Sequence, residues 1–476
     1  MLAPRSGSLW HRIRLHNQMQ LLRADLDDLC NHSAALASPA DLVDFEHRLR
    51  DLTAALHAVL AAQAVQNSLD SAPLRHATRL LRQASPQPLK HQGWRPVTLH
   101  FAQGPAVELC LPYYSRSKPV CGRRGKGCFP ALVVLGIHDR CSAALASDLV
   151  QLTALLGSFA EARLLLRQRG VRLCVNTLRR IVYHYAQRVR VAQKTLKPFA
   201  RESLRGRTVV ITTDGGRIRI RKDRKARTKK GRVRYSTCWR EPKLLLIYTV
   251  KHANNRVQMD RSFAVILDGT LQGPDRLFAL LRYYLGQLQI TQADRVLFIA
   301  DGARWIWKRV DRLLRGLGVP AGKVQQAVDF YHAVEHLGKV ADLAGCFNGK
   351  QKKRWLKTQR QRLLLGEAEK VVAAVEELAR QHPSKALNAE VSYFVKHGRE
   401  HKRMEYATLE KLGLPLGSGA MESAIRRVVN LRLKGAGIFW HKGNAEALLL
   451  LRCFAKAGRS QDLDTLAFAC DLTAPP

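Results

Sequence analysis

Acidic residues are scarce. The 476-residue chain carries 38 Asp and Glu against 79 Lys and Arg, a formal charge of +41, and its pI is near 10.5. Solubility alone does not call for such a surplus. A polyanionic partner accounts for it, with nucleic acid first. An acidic membrane surface is disfavoured because no lipidation signal is visible. Apolar runs of membrane-spanning length are missing too, and the opening MLAPRSGSLWHRIRLHNQ has no apolar stretch of the secretory kind. Neither a membrane protein nor a secreted one is therefore expected. The ten cysteines form no CxxC pair and read as reduced, mostly core residues. Cys110, Cys121, Cys128, His138 and Cys141 cluster, at spacings that match no common zinc motif. A phosphate loop is excluded as well: Gly122, Gly125 and Gly127 surround Lys126, but Cys128-Phe129 stand where Lys-Ser/Thr is required.

What is present centres on Arg205–Arg221. Thr208–Thr213 is a short, β-branched run that predicts a buried strand, ended by Asp214 with Gly215-Gly216 as a turn. Val296–Ala300 repeats the pattern and runs into Asp301-Gly302. On adjacent strands the two carboxylates would repel, and a divalent cation would relieve that repulsion. Hard oxygen ligands suit Mg²⁺ or Mn²⁺. Two ordinary Asp-Gly turns are the alternative.

In chain order, residues 1–90 predict a helical region, with Leu42, Phe45, Leu49, Leu52, Leu56 and Leu60 at helical spacing. Pro86 and Pro88 mark a linker. Residues 91–140 form a small β/loop region, in which Val97–Tyr114 reads as two strands turning at Gly104-Pro105. Residues 141–200 predict three helices: one to about Leu156 with Ser147 as a possible cap, then Ser158–Arg169, then Thr177 to about Arg190 capped by Asn176. The last is basic. It makes a helix-turn-helix candidate with Arg179 and Arg180 near the start of the DNA-reading helix.

Residues 201–345 read as the first part of a catalytic core. The run RIRIRKDRKARTKKGRVRY predicts a loop, either solvated or holding phosphates through Arg221, Lys222, Arg224 and Lys225. Leu244–Lys251, Phe263–Leu267 and Val324–Phe330 add strands, and Pro274–Leu288 a helix. Trp305 and Trp307 read as core rather than base-stacking residues. His332–His336 spells H-x-x-E-H, a zinc-peptidase pattern that a five-residue match does not establish. Residues 346–412 predict a helical insertion. Residues 413–476 return to the core: Leu414–Gly419 breaks the chain, and a helix follows with Glu422, Ile425, Val429 and Leu433 on one inward stripe. With Gly419 as the cap, Glu422 would also suit a capping role.

Taken together, these motifs resemble bacterial insertion-sequence transposases of the ISKra-type group, which have an RNase H-like DDE catalytic domain. The matching residues are TTDGG at Thr212–Gly216, ADGARWIW at Ala300–Trp307, DFYH at Asp329–His332 and LPLGSGAMESAIRRVVNLRLKGAGIFW at Leu414–Trp440, with GRRGKGCFPALVVLG upstream. The resemblance implies a multidomain α/β protein. Its core would be a mixed five-stranded sheet with the first strand central and the fourth beside it, interrupted by the helical insertion and preceded by helical DNA-binding regions. It implies catalytic, metal-binding Asp214, Asp301 and Glu422, with Asp329 and His332 in support. Arg432 and Lys434 join the basic DNA-binding set. Two Mg²⁺ (or Mn²⁺) ions would activate water and then a 3′-hydroxyl, for cleavage and strand transfer of double-stranded DNA. A homo-oligomer on DNA at the bacterial nucleoid in the cytoplasm is expected. The competing readings are a non-catalytic sequence-specific DNA-binding protein and, more remotely, a zinc peptidase using His332 and His336.

Overall fold

The computed structural model describes residues 6–32, 36–85, 88–116, 127–228, 231–253 and 256–469. Cys121, Gly122, Gly125, Lys126 and Pro86 lie outside the described residues. The chain forms two units, Met1–Leu196 with Ser460–Pro476, and Lys197–Arg459. Residues 460–469, read from sequence as part of the end of the core, thus group with the first unit.

In the first unit, helices Ser6–Asn31 and Pro39–Ser68 pack together, followed by Ala72–Gln83. The leucine stripe is not the buried face. Leu42 and Leu60 are 47% and 40% exposed, whereas Ala54, Ala58, Val59 and Ala62 are buried. Small residues thus dominate the contact, while Leu49, Leu52 and Leu56 are half-buried and Leu56 packs against the same core. An antiparallel hairpin, β1 (Leu89–Leu99) and β2 (Val107–Arg116), adds Leu99, Leu109 and Leu111 to this core. β1 begins inside the expected linker. Helices Ala143–Leu155, Phe159–Gln168 and Val175–Ala192 then follow as the periodicity predicts. Their caps differ in part. Ser142 caps the first, and Ser147 instead bonds Asp464; Ser158 caps the second; Cys174, not Asn176, precedes the third.

Among the described residues, the second unit holds a mixed sheet of six strands, not the five that the resemblance implied. Its strands are β3 (Thr208–Gly215), β6 (Lys243–Ala253), β7 (Arg256–Met259), β8 (Ile266–Thr270), β9 (Arg295–Ala300) and β10 (Val324–Val328). Between β3 and β6 stands a separate hairpin, β4 (Ile218–Arg227) with β5 (Val233–Arg240). The sheet order is β10-β9-β3-β6, with β8 and β7 pairing successive halves of β6 on its outer edge. β3 is therefore central. It runs parallel to β9 and antiparallel to β6. β3 is buried on both sides over Val209–Thr213, which is why it reads as a continuous apolar run rather than an alternating one. Leu297 and Ile299 of β9 join a core with Met421, Val429 and Leu448. Phe298, on the opposite side of the same strand, meets Phe278 and Trp307. Residues 346–412, read as a helical insertion, hold helices Gly349–Leu364, Ala368–Gln381, Lys385–Phe394 and Tyr406–Lys411, after helix Phe330–Ala344.

Candidate functional site

The site grows from the parallel pairing of β3 and β9. Thr213 is in register with Ala300, so the next residues, Asp214 and Asp301, stand side by side at the ends of two neighbouring strands. The first Asp-Gly is not a turn. The ladder continues through Asp214↔Leu244 and Gly215↔Lys243, and the Gly216 N–H still donates to Pro242 O at 2.9 Å. The glycines serve close approach instead. A Cβ on Gly215 would lie 2.0 Å from Glu241 Oε1, and one on Gly302 would lie 2.1 Å from Tyr393 Cε2. A side chain at either place would push away the neighbour that packs beside the aspartate.

Each aspartate uses Oδ1 locally. Asp214 accepts its own Gly215 N–H at 2.6 Å, and Asp301 accepts the Ala303 N–H at 3.0 Å. Burial pushes the Asp214 carboxyl up to about 6, and the charges of Asp301 and Glu241 add to the rise; the Gly215 N–H and His332 oppose it. Asp301 is raised as well, again chiefly by burial, with the Ala303 N–H and His332 opposing. Two desolvated carboxylates that hold their protons too tightly form a site short of positive charge. Hard oxygen donors of this kind fit Mg²⁺ or Mn²⁺.

This charge environment leads to a stability prediction. The folded state binds the Asp214 proton more tightly than the unfolded chain, whose pKa is near 3.8. The associated stability is full below pH 4 and is lost as pH rises through 6. Asp214→Asn should therefore raise the unfolding free energy of metal-free protein at pH 7.5, by an amount on the order of 2–3 kcal/mol at most. The gain should shrink as pH falls toward 5. Chemical denaturation at both pH values checks this, and a gain that does not depend on pH would mean the carboxylate is not strained by burial.

The third acid is placed differently from the sequence expectation. Glu422 is exposed on helix Gly419–Ile425, which packs against β3 and β6. Its inward stripe is broken because the helix widens at Arg426–Asn430 into a π-turn, with Leu431 N–H donating to Arg426 O. The extra residue rotates Glu422 away from buried Val429 and Leu433. Nor does its carboxylate cap the helix, whose N-cap is Ser418. Among the described residues no three of His, Cys, Asp and Glu converge as a ready metal cluster. Two ligands of the expected set are thus together, and the third stands on a neighbouring helix.

Sequence reasoning missed Glu241. Its carboxylate acts on both Asp214 and Asp301 and bonds Lys243 Nζ at 2.8 Å. That ammonium lies 3.9 Å from the centre of the Trp305 ring. One signal was available: Glu241 is the only acid between Asp223 and Asp260, immediately before a buried strand. Trp307 is core, as expected, and donates its indole N–H to Asp301 O at 2.7 Å.

Asp329 is fully buried and positions its surroundings. Its Oδ1 caps helix Phe330–Ala344 through the Tyr331 and His332 N–H groups, at 2.7 and 3.1 Å. Its Oδ2 accepts the Ser418 N–H and, at 2.6 Å, the Ser418 hydroxyl. One carboxylate thus joins the end of β10 to the turn before Glu422. His332 faces the aspartate pair electrostatically and lies 3.4 Å from Glu335. His336 does not join it in a zinc site. It bonds Glu390 at 2.5 Å and stacks on Tyr393 at 3.9 Å.

The basic residues divide. Lys222, Arg224, Lys225 and Lys434 are exposed, and Arg221 is half-buried beside Asp223. They stand on the β4–β5 ribbon rather than a loop, except Lys434. Arg432 is only 7% exposed, with its guanidinium over Trp440, so it does not present its charge to solvent. In the first unit, Arg179 and Arg180 are exposed on helix Val175–Ala192, whose opposite side buries Leu178, Ile181 and Val182. Arg180 and His184 share Asp139, at 3.6 and 3.0 Å. A cleft of about 460 Å³ reaches the start of that helix at Cys174 and is lined by Arg163, Arg167 and Arg172, which the sequence had not singled out. Cys110 and Cys141 are buried thiols and Cys128 is partly buried; burial raises the pKa of all three.

No protein-family model matches the chain, and no curated protein matches it. Among solved structures, the Drosophila P element transposase strand transfer complex overlaps it at 14% identity and a TM-score of 0.23, over 68% of this chain and 80% of that one. No helix among the described residues is long and apolar enough to cross a membrane.

Proposed function

We propose that the chain is a DNA transposase with an RNase H-like core, cutting and rejoining DNA strands at Asp214 and Asp301. The observation that carries this reading is the juxtaposition of two half-buried carboxylates at the ends of parallel neighbours β3 and β9, in a sheet with β3 central. The motif resemblance at Thr212–Gly216, Ala300–Trp307 and Leu414–Trp440 and the charge of +41 support it.

Asp214 and Asp301 would hold Mg²⁺ or Mn²⁺, with Glu422 as the third ligand. A bound divalent cation would supply Lewis-acid stabilisation of a phosphodiester and lower the pKa of the attacking water. The chain's own residues set the stage. Asp329 fixes the N-terminus of the helix that carries His332 and the turn that leads to Glu422. Lys243 holds Glu241 beside the pair. Exposed arginines and lysines on the ribbon and on helix Val175–Ala192 would contact phosphates and element ends. Glu422 comes to the pair only if its helix shifts or DNA and metal draw the side chain in. That requirement is the one feature favouring the reading as a DNA-binding protein without catalysis.

The test is incubation of the full chain with Mg²⁺ or Mn²⁺ on a duplex carrying the imperfect inverted repeats expected to flank its gene. Nicking that requires the cation supports the transposase; binding without nicking in either ion supports the alternative. Binding also has its own signature. Neutralising Arg221, Lys222, Arg224 and Lys225 together should lower the slope of log K against log salt by about one for each phosphate no longer paired with a cationic side chain. An unchanged slope in a salt titration would make the ribbon's charge a solvated face.

A further inference from the structure

The β4–β5 ribbon has two unlike faces. Ile218 and Ile220 are buried on one of them, with Cys238 partly buried opposite. The other face pairs Arg219 with Trp239, Arg221 with Thr237, and Asp223 with Tyr235 across the strands. Here Trp239 is 50% exposed and Tyr235 42% exposed. Two arginines flank Trp239 and one lies over Tyr235. The guanidinium carbons of Arg217 and Arg219 lie 5.4 and 5.7 Å from the Trp239 ring centre, and that of Arg221 lies 4.3 Å from the Tyr235 ring centre.

This face is held in place. Arg219 donates to Gly435 O at 2.7 Å, and Arg221 Nε to Asp223 at 2.6 Å. The Arg221 N–H donates to Trp440 O at 2.8 Å, and the Trp440 N–H to Arg219 O at 3.0 Å. Tyr235 also meets Phe439 at 4.9 Å. The ribbon springs from the candidate site itself. β4 starts three residues after Gly215, and β5 ends at Arg240, just before the Glu241 carboxylate that covers Gly215.

We propose that this outer face is a stacking platform for an unpaired nucleotide of the DNA strand whose backbone lies at Asp214 and Asp301. The proposal rests on the reading of the chain as a DNA-cutting enzyme. Half-exposed rings with guanidinium groups beside them fit a partner that is both flat-aromatic and polyanionic. A nucleobase offers its π-face only when it leaves the duplex stack, and stacking on a protein aromatic tolerates any base. An apolar protein partner would be poorly served by Arg217, Arg219 and Arg221 at the contact, because their charges would have to be desolvated.

The experiment compares two probes at fixed salt with the full chain: a blunt duplex, and the same duplex with several unpaired nucleotides at one end. The unaltered chain should prefer the unpaired end. Trp239→Ala with Tyr235→Ala should cut that preference by about fivefold or more, as loss of a stacked base implies, and leave blunt-duplex affinity unchanged. Retained blunt-duplex binding also shows that the variant is folded. Trp239→Phe should restore part of the preference. Equal weakening on both probes, or an undiminished preference, overturns the platform. So does a chain that binds blunt duplex but shows no preference for the unpaired end, and that result leaves the DNA reading standing. Binding of neither probe by the unaltered chain overturns both.

Discussion

Asp214→Asn and Asp301→Asn should each lower cation-dependent nicking of element-end DNA by roughly a thousandfold or more, with DNA affinity within about twofold of the unaltered chain. The magnitude follows from removing one anionic ligand from a metal-activated site. Several kcal/mol of transition-state stabilisation are at stake, and each 1.36 kcal/mol is tenfold in rate. Binding survives because the charge of +41 lies elsewhere and Asn keeps the shape. Glu422→Gln should behave like the two aspartates if its helix delivers the third ligand. Glu241→Gln should cost less than about tenfold, since Glu241 already neutralises Lys243 at 2.8 Å. The reverse pattern, loss with Glu241 and tolerance at Glu422, would transfer the third position to Glu241. Normal nicking by either aspartate variant would remove the pair from the chemistry. Single-turnover cleavage alongside equilibrium binding separates these outcomes.

The largest loss of stability is expected at Asp329. Asp329→Ala would leave the N–H groups of Tyr331, His332 and Ser418 and the Ser418 hydroxyl without their acceptor, at a site of 0% exposure. An unsatisfied buried donor costs about 1–3 kcal/mol. The two helix N-terminal groups can be partly re-satisfied by water, so a net loss of about 3–5 kcal/mol is the expected result. Asp329→Asn should lose less. Its carbonyl oxygen can replace Oδ1, and the Ser418 hydroxyl can turn to accept from the new amide, but the Ser418 N–H faces a donor. Urea unfolding of the three proteins gives the order directly. If alanine is tolerated, the carboxylate does not join β10 to the Leu414–Ser418 turn in the way its hydrogen bonds indicate.

Several features were legible because they are local. Thr208–Thr213 and Val296–Ala300 are apolar, β-branched and short, and each is ended by an aspartate. The helices of residues 143–192 carry their own periodicity, although their caps were read elsewhere. The charge run after Gly216 was not read correctly. Its Ile218 and Ile220 alternate with arginines as a half-buried strand does, but seven further basic residues by Lys230 hid that period. Arg432 and Lys434 look alike in sequence, and only the Trp440 ring decides that the first is covered. The Glu422 stripe assumed a regular helix, which a single π-turn defeats.

The sequence by itself determined the apolar strands β3 and β9, the aspartates at their C-terminal ends, the helices that follow residue 346 and the basic surplus, since each depends on residue type and short-range spacing. The residue pattern did not decide which strands are neighbours; the motif resemblance implied the fourth strand beside a central first, and the tertiary structure has that pairing. Strand order is a long-range choice that no local pattern encodes, and it sets Asp214 beside Asp301 across more than 80 residues of chain. The same long-range packing brought Glu241 over Gly215, tied Asp329 to Ser418 and turned Glu422 outward, because each outcome depends on which side chain arrives from elsewhere to fill the adjoining space.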